Sequence, residues 1–104
     1  MIRKILRREK RKGKINLVLI NDREIKKLNA TYRNKNKPTD VLAFPMNEEG
    51  IIGDIAISTE TARRNAAKYR VTYPAEMKRL VVHGVLHLLG YKHGGEMDHA
   101  AQAY

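Results

Sequence analysis

Leu80-Val81-Val82-His83-Gly84-Val85-Leu86-His87-Leu88-Leu89-Gly90-Tyr91-Lys92-His93 is the stretch on which the reading of this chain turns. From Leu80 onward it is apolar on nearly every side of a helix, and a helix without a polar face belongs in the middle of a molecule. Pro74 suits the first turn of that helix, and Gly90 ends it. His83 and His87 are four residues apart. At about 100° per residue they project from one face, one turn from each other. Gly90 can adopt the left-handed conformation that stops a helix and turns the chain back, which brings His93 over toward the first two. Three neutral imidazoles leave a tetrahedral zinc ion one position for water or substrate, the arrangement of a catalytic site rather than a structural one. Gly84 costs the helix about 1 kcal/mol relative to alanine, which implies close approach by another backbone or by the wall of the site, or simply tight packing.

The pattern H-x-x-x-H-x-x-G-x-x-H is also the ligand spacing of metzincin proteases. Those enzymes carry a glutamate directly after the first histidine to activate water, where this chain has Gly84. The chain has no cysteine, so disulfides and thiolate ligands are excluded and His, Asp and Glu carry any metal chemistry. The expectation is one zinc ion per chain on His83, His87 and His93. Nickel or another divalent ion suits the same imidazoles.

Upstream, Ile2, Ile5 and Leu6 recur at helical spacing among basic residues, which predicts a short docked helix. Ile15 to Ile20 is a short apolar run rich in β-branched residues and reads as a central strand buried on both faces. Asn21 and Glu24 form a capping box that opens a second helix, with Ile25, Leu28 and Tyr32 as its buried stripe and Pro38 as its latest end. Val41 to Met46 and Ile51 to Ile57 read as an antiparallel hairpin across Asn47-Glu48-Glu49-Gly50. Asp54 lies inside the second of these strands and needs a partner, because burying it alone is costly. Ser58 or Thr59 caps a helix to about Arg70, whose Ala62, Ala66 and Ala67 allow close packing. One or two helical turns follow Gly95. A strand, crossover helix and strand make a parallel pair and the hairpin adds an antiparallel one. The class is α+β, a small mixed sheet packed with helices around the apolar helix.

At 104 residues the chain is expected to be one domain, 1–104, with a basic N-terminal arm or helix at about 1–14. Residues 1–14 hold eight of the 21 Lys and Arg and one acid, Glu9, so about +7 of the formal net charge of +10 sits there. Such a cluster gains affinity for a polyanion by releasing its counterions. Arg7, Arg8, Arg11 and Lys12 are the candidate RNA contacts. No signal-peptide core and no run of 18 apolar residues is present, so a cytoplasmic protein without a membrane partner is expected. One Phe, five Tyr and no Trp argue against a wide base-stacking platform and for contacts mostly to phosphate.

Three blocks in order resemble one family. They are Leu28-Asn29, Tyr32-Arg33, Lys35 and Pro38-Thr39-Asp40-Val41-Leu42 with Phe44-Pro45, then Gly53-Asp54-Ile55, then His83 to His93, which reads H-G-V-L-H-L-L-G-Y-K-H. The pattern is similar to that of the YbeY-type rRNA maturation factors, H-G-x-L-H-L-x-G-Y-D-H, and departs from it at Lys92. The resemblance implies a zinc-dependent endoribonuclease, a hydrolase acting on single-stranded RNA in 16S rRNA 3′-end maturation and ribosome quality control, with rRNA or the small ribosomal subunit as partner. It also implies a fourth strand before the first helix and a longer C-terminal helix than this chain shows. Arg33 falls in the block that resembles the family's functional arginine segment, and is the candidate catalytic residue stabilising phosphoryl charge; Lys35 and Lys37 add backbone contacts. A zinc metalloprotease-like hydrolase and a noncatalytic RNA-binding ribosome assembly factor are the alternatives.

Overall fold

The computed structural model describes residues 1–92 and 94–104, with Asn47 described by its backbone alone. In chain order the elements are α1 (Ile2–Arg8), β1 (Lys14–Ile20), α2 (Asp22–Arg33), β2 (Val41–Glu48), β3 (Ile51–Ser58), α3 (Thr59–Tyr69), α4 (Tyr73–Leu88) and α5 (Gly95–Ala101). The architecture is α+β. Side chains of Asn21, Ser58 and Thr72 accept the backbone N–H of Glu24, Thr61 and Ala75 and so start α2, α3 and α4. Left-handed Asn34 and Arg70 end α2 and α3.

The sheet differs from the expected one. Its order is β1-β3-β2, so β3 is central, parallel to β1 and antiparallel to β2, and β1 does not pair with β2 across the crossover helix. β1 is an edge strand, with Leu17, Val18 and Leu19 exposed, whereas Ile55 and Ile57 of β3 are fully buried. A central strand must be covered on both faces. β3 comes nearest to that condition, with α4 packed on one face and α2 over part of the other.

On the α4 face the contact is close. A methyl group added at Gly84 would lie 3.0 Å from two atoms of the Ile55 side chain, and one added at Gly53 would lie 2.7 Å from Leu88 Cδ2. The close approach expected at Gly84 is therefore made by a side chain, not by backbone. Leu80, Val81, Val82, Val85, Leu86 and Leu88 of α4 are buried, each such side chain contributing about 1.5–3 kcal/mol on leaving water. Met97 of α5 joins the same core.

Residues 2–8 form a docked helix rather than a free arm, since Ile5 and Leu6 are buried in that core. Arg7 and Arg8 remain exposed on it, with Arg11 and Lys12 exposed just beyond. Glu9 ties its end down by accepting the phenol O–H groups of Tyr91, at 2.7 Å, and Tyr104, at 3.3 Å.

The far end of the sheet is held by Asp22. Its Oδ1 accepts the hydroxyls of Ser58, at 2.6 Å, and Thr61, at 2.5 Å, while Oδ2 accepts Arg64 Nη2 at 2.7 Å. Burial alone would raise this carboxyl, but the hydrogen bonds outweigh it and hold its pKa below the usual value. A depressed carboxylate stabilises the fold above its unfolded pKa, near 3.9, and loses that contribution as pH falls through the folded value. Asp22→Asn is thus expected to cost about 1–3 kcal/mol at neutral pH. The deficit should shrink toward zero between about pH 4 and pH 2. Urea unfolding of parent and variant across that range checks it; a deficit independent of pH would remove the charge from the explanation.

Candidate functional site

The geometry of α4 determines what its polar face can do. Glu76, Arg79, His83 and His87 recur at i, i+3, i+7 and i+11, so they line one face of a helix that is mostly apolar from Leu80 onward. Glu76 is buried and anchors the upstream half. Its carboxylate takes Arg79 Nε at 2.8 Å and Nη2 at 2.6 Å, and Asn65 Nδ2 of α3 at 3.1 Å. These bonds, Arg79's foremost, hold the Glu76 carboxyl below its usual pKa against the cost of burial, and the nearby His83 acts in the same direction. Asn65 also donates to Asp40 Oδ2, at 3.3 Å, and Asp40 Oδ1 accepts the Val41 N–H at the start of β2, at 2.8 Å. The network thereby locks α4 to α3 and to the entry of β2, and with them the histidines to the sheet. The sequence reading missed it, although a glutamate in the first turn of an apolar helix with an arginine at i+3 is a visible signal.

His83 is half-buried and His87 exposed, and both look into a cleft of about 220 Å³ between α4 and β2. Its other walls are Tyr32 and Arg33 from the end of α2 and Val41 to Phe44 of β2. Arg33 therefore comes together with two of the three candidate ligands. Tyr32 was expected in the buried stripe of α2, but it is 66% exposed and sits edge-on to Phe44 with ring centroids 5.0 Å apart. Asn29 is buried in its place, and its Nδ2 donates to Lys37 O at 2.9 Å. That bond pins the loop 34–40, on which Lys35 and Lys37 are exposed.

Gly90 has φ +100, and the N–H of Gly90 and Tyr91 return to His87 O and Leu86 O at 3.1 Å, which stops α4 as expected. His93, the third candidate ligand, lies outside the described residues. Among the described residues no group of three His, Cys, Asp or Glu side chains is close enough together to hold a metal ion. Lys92 is exposed. Arg7, Arg11 and Lys12 border a separate hollow beside α1 that shares no residue with the cleft. Asp54 finds its partner in Asn16 of β1, whose Nδ2 donates to Oδ1 at 3.0 Å.

The chain as a whole is similar to known proteins. The endoribonuclease YbeY family model matches residues 1–102. The chain is similar to the endoribonuclease YbeY of Aquifex aeolicus, 51% identical over 90 residues that cover 81% of this chain and 60% of that protein. It is 49% identical over 98 residues to the endoribonuclease YbeY of Heliobacterium modesticaldum, covering 79% and 58% of the two chains. The solution structure of TM1509 from Thermotoga maritima superposes with a TM-score of 0.73 at 34% identity, covering 99% of this chain and 73% of that one. The chain spans about three-fifths of the length of these curated relatives. With the family model matched over residues 1–102 and its fold shared at a TM-score of 0.73, the chain belongs to the endoribonuclease YbeY family.

Proposed function

We propose that this chain is a metal-dependent endoribonuclease acting on single-stranded RNA, with one zinc ion held by His83, His87 and His93. The observation that carries the reading is the shared cleft, in which two imidazoles at ligand spacing face Arg33 across a space of about 220 Å³. The donor set suits zinc by its chemistry: two imidazoles one helical turn apart on α4, with Gly90 in the left-handed region between them and His93. Zinc bound there would supply Lewis acidity and lower the pKa of a coordinated water from about 15.7 toward about 7. Hydrolysis breaks one P–O bond to ribose and forms another to the water oxygen, a proton from the water passing to the released ribose oxygen, with charge building on the nonbridging oxygens. The Arg33 guanidinium would accept that charge through two parallel N–H donors. Lys35 and Lys37, on the adjoining loop, would hold flanking phosphates.

The names of the relatives support RNA as substrate. The finer proposal, 3′-end maturation of 16S rRNA and ribosome quality control in the cytoplasm, draws on the family resemblance and on the basic surface around α1. No described helix is long and apolar enough to cross a membrane.

A metalloprotease reading is disfavoured by the position after His83. A methyl group at Gly84 would already crowd the buried Ile55 at 3.0 Å, so the glutamate that such a protease needs would start in the core and displace Ile55. Incubation with single-stranded RNA and with casein, with and without a chelator, tests the assignment. Chelator-sensitive RNA cleavage with intact casein is expected. Casein cleavage with intact RNA would establish the protease, and RNA binding without cleavage would establish a noncatalytic assembly factor.

A further inference from the structure

Side chains alternate across the sheet, so the face of β3 turned away from α4 carries Asp54 and Ala56, opposite Phe44 and Leu42 of β2 and beside Val18 of β1. α2 covers only part of this face. Between α2 and the strands runs an open groove of about 630 Å³, whose walls include Val18, Lys27, Tyr32, Phe44 and Asp54. Its volume is that of a site for a small organic group. Tyr32 and Phe44 also line the histidine cleft, so the two spaces adjoin at one aromatic pair. The polar groups are unequal. Asp54 and Glu24 outnumber Lys27, which disfavours a phosphate inside the groove, whereas Arg33 in the cleft favours one. A ligand that is anionic at one end and neutral, flat and amino-bearing at the other matches this division.

We infer that the groove is a base subsite: it receives an unpaired nucleobase of the RNA strand whose phosphodiester lies in the cleft. The base stacks beside Tyr32 and Phe44, Lys27 at the rim meets the next phosphate, and the Asp54 carboxylate, steadied by Asn16, accepts from an exocyclic amino group. One aromatic pair suffices for one base and needs no wide platform. Uracil has no amino group and is the base that this acceptor favours least.

The inference rests on the ribonuclease reading, so its test reads binding apart from cleavage. Fluorescein-labelled 2′-O-methyl decamers of cytidine and of uridine are titrated into the metal-loaded protein by anisotropy, and checked intact afterwards. Val18 and Leu19 are both exposed neighbours on β1, but Val18 lines the groove and Leu19 points to the opposite face. Val18→Glu should weaken cytidine decamer binding about tenfold or more, and Leu19→Glu by less than about twofold, although both change the charge equally. The parent should prefer cytidine to uridine. Lys27→Ala against Lys26→Ala repeats the comparison on α2, where neither exposed side chain supports the fold. Equal losses in both pairs, no loss in either, or equal affinity for the two decamers overturns the subsite. A groove that serves a protein partner instead would leave RNA affinity unchanged in Val18→Glu. If unmodified RNA is not cleaved but the Val18 effect persists, the nuclease reading falls and the subsite stands. Cleavage without any Val18 effect gives the reverse.

Discussion

His87→Ala is expected to leave the purified protein almost free of zinc where the parent holds about one ion per chain, and to remove RNA cleavage with it. Losing even an outer partner of a ligand costs about 10- to 100-fold in metal affinity, and losing a ligand outright costs more. The fold should survive. His87 is exposed at the last turn of α4, unlike its buried neighbours Leu86 and Leu88, so truncating it opens no cavity in the core. Elemental analysis of parent and variant, beside chelator-treated parent, measures the effect. Thermal unfolding completes the design: the variant should melt with the chelated parent, and the zinc-loaded parent higher, because a ligand that binds only the folded state stabilises it by mass action. Equal zinc in parent and variant would reject this ligand set.

The legibility of this fold in its sequence varied with how local each decision was. The caps at Asn21 and Ser58, the stop at Gly90 and the crowding at Gly84 depend on neighbours a few residues away or on volume at one point, and the structure bears them out. The rank of the strands did not follow from such signals. Ile15 to Ile20 is apolar on both faces and so resembles a buried strand, yet β1 lies at the edge. β3 is central although Gly53 and Asp54 interrupt its apolar run. Gly53 is small because Leu88 and the Phe44 carbonyl press on it, and Asp54 is tolerated because Asn16 donates to it. Both reasons are long-range contacts that no window of sequence contains.

The candidate site was legible in its residue types but not in its supports. The spacing of His83 and His87 and the block holding Arg33 stand out in the sequence, and the structure adds that they share one cleft. It could not be read in advance that Tyr32, one turn past Leu28, would overrun the covered part of the sheet and pair with Phe44 instead of entering the core. The i, i+3 pair of Glu76 and Arg79 was visible, but not the burial of Glu76 or its bond to Asn65, because a glutamate in a first helical turn is ordinarily a solvated complement to the dipole.

The cleft and the basic surface of α1 should separate kinetically. Arg33→Ala is expected to lower turnover at saturating RNA by about 10²-fold or more, the scale seen when one preorganised donor is removed from a developing charge. Arg33 is exposed at the end of α2, so the loss reports chemistry rather than packing. Replacing Arg7, Arg8, Arg11 and Lys12 together by alanine should instead weaken RNA binding and flatten its salt dependence, with saturated turnover little changed. Those four side chains are exposed on and after α1, and the docked Ile5 and Leu6 that hold the helix are untouched. Fewer phosphates neutralised means fewer counterions released, which is why the salt slope falls along with affinity. Single-turnover rates at saturating RNA, measured across a salt series for both variants, distinguish the roles. An Arg33→Ala protein with an unchanged saturated rate and weaker binding would make Arg33 a docking residue, and transition-state stabilisation would then have to come from elsewhere in the cleft.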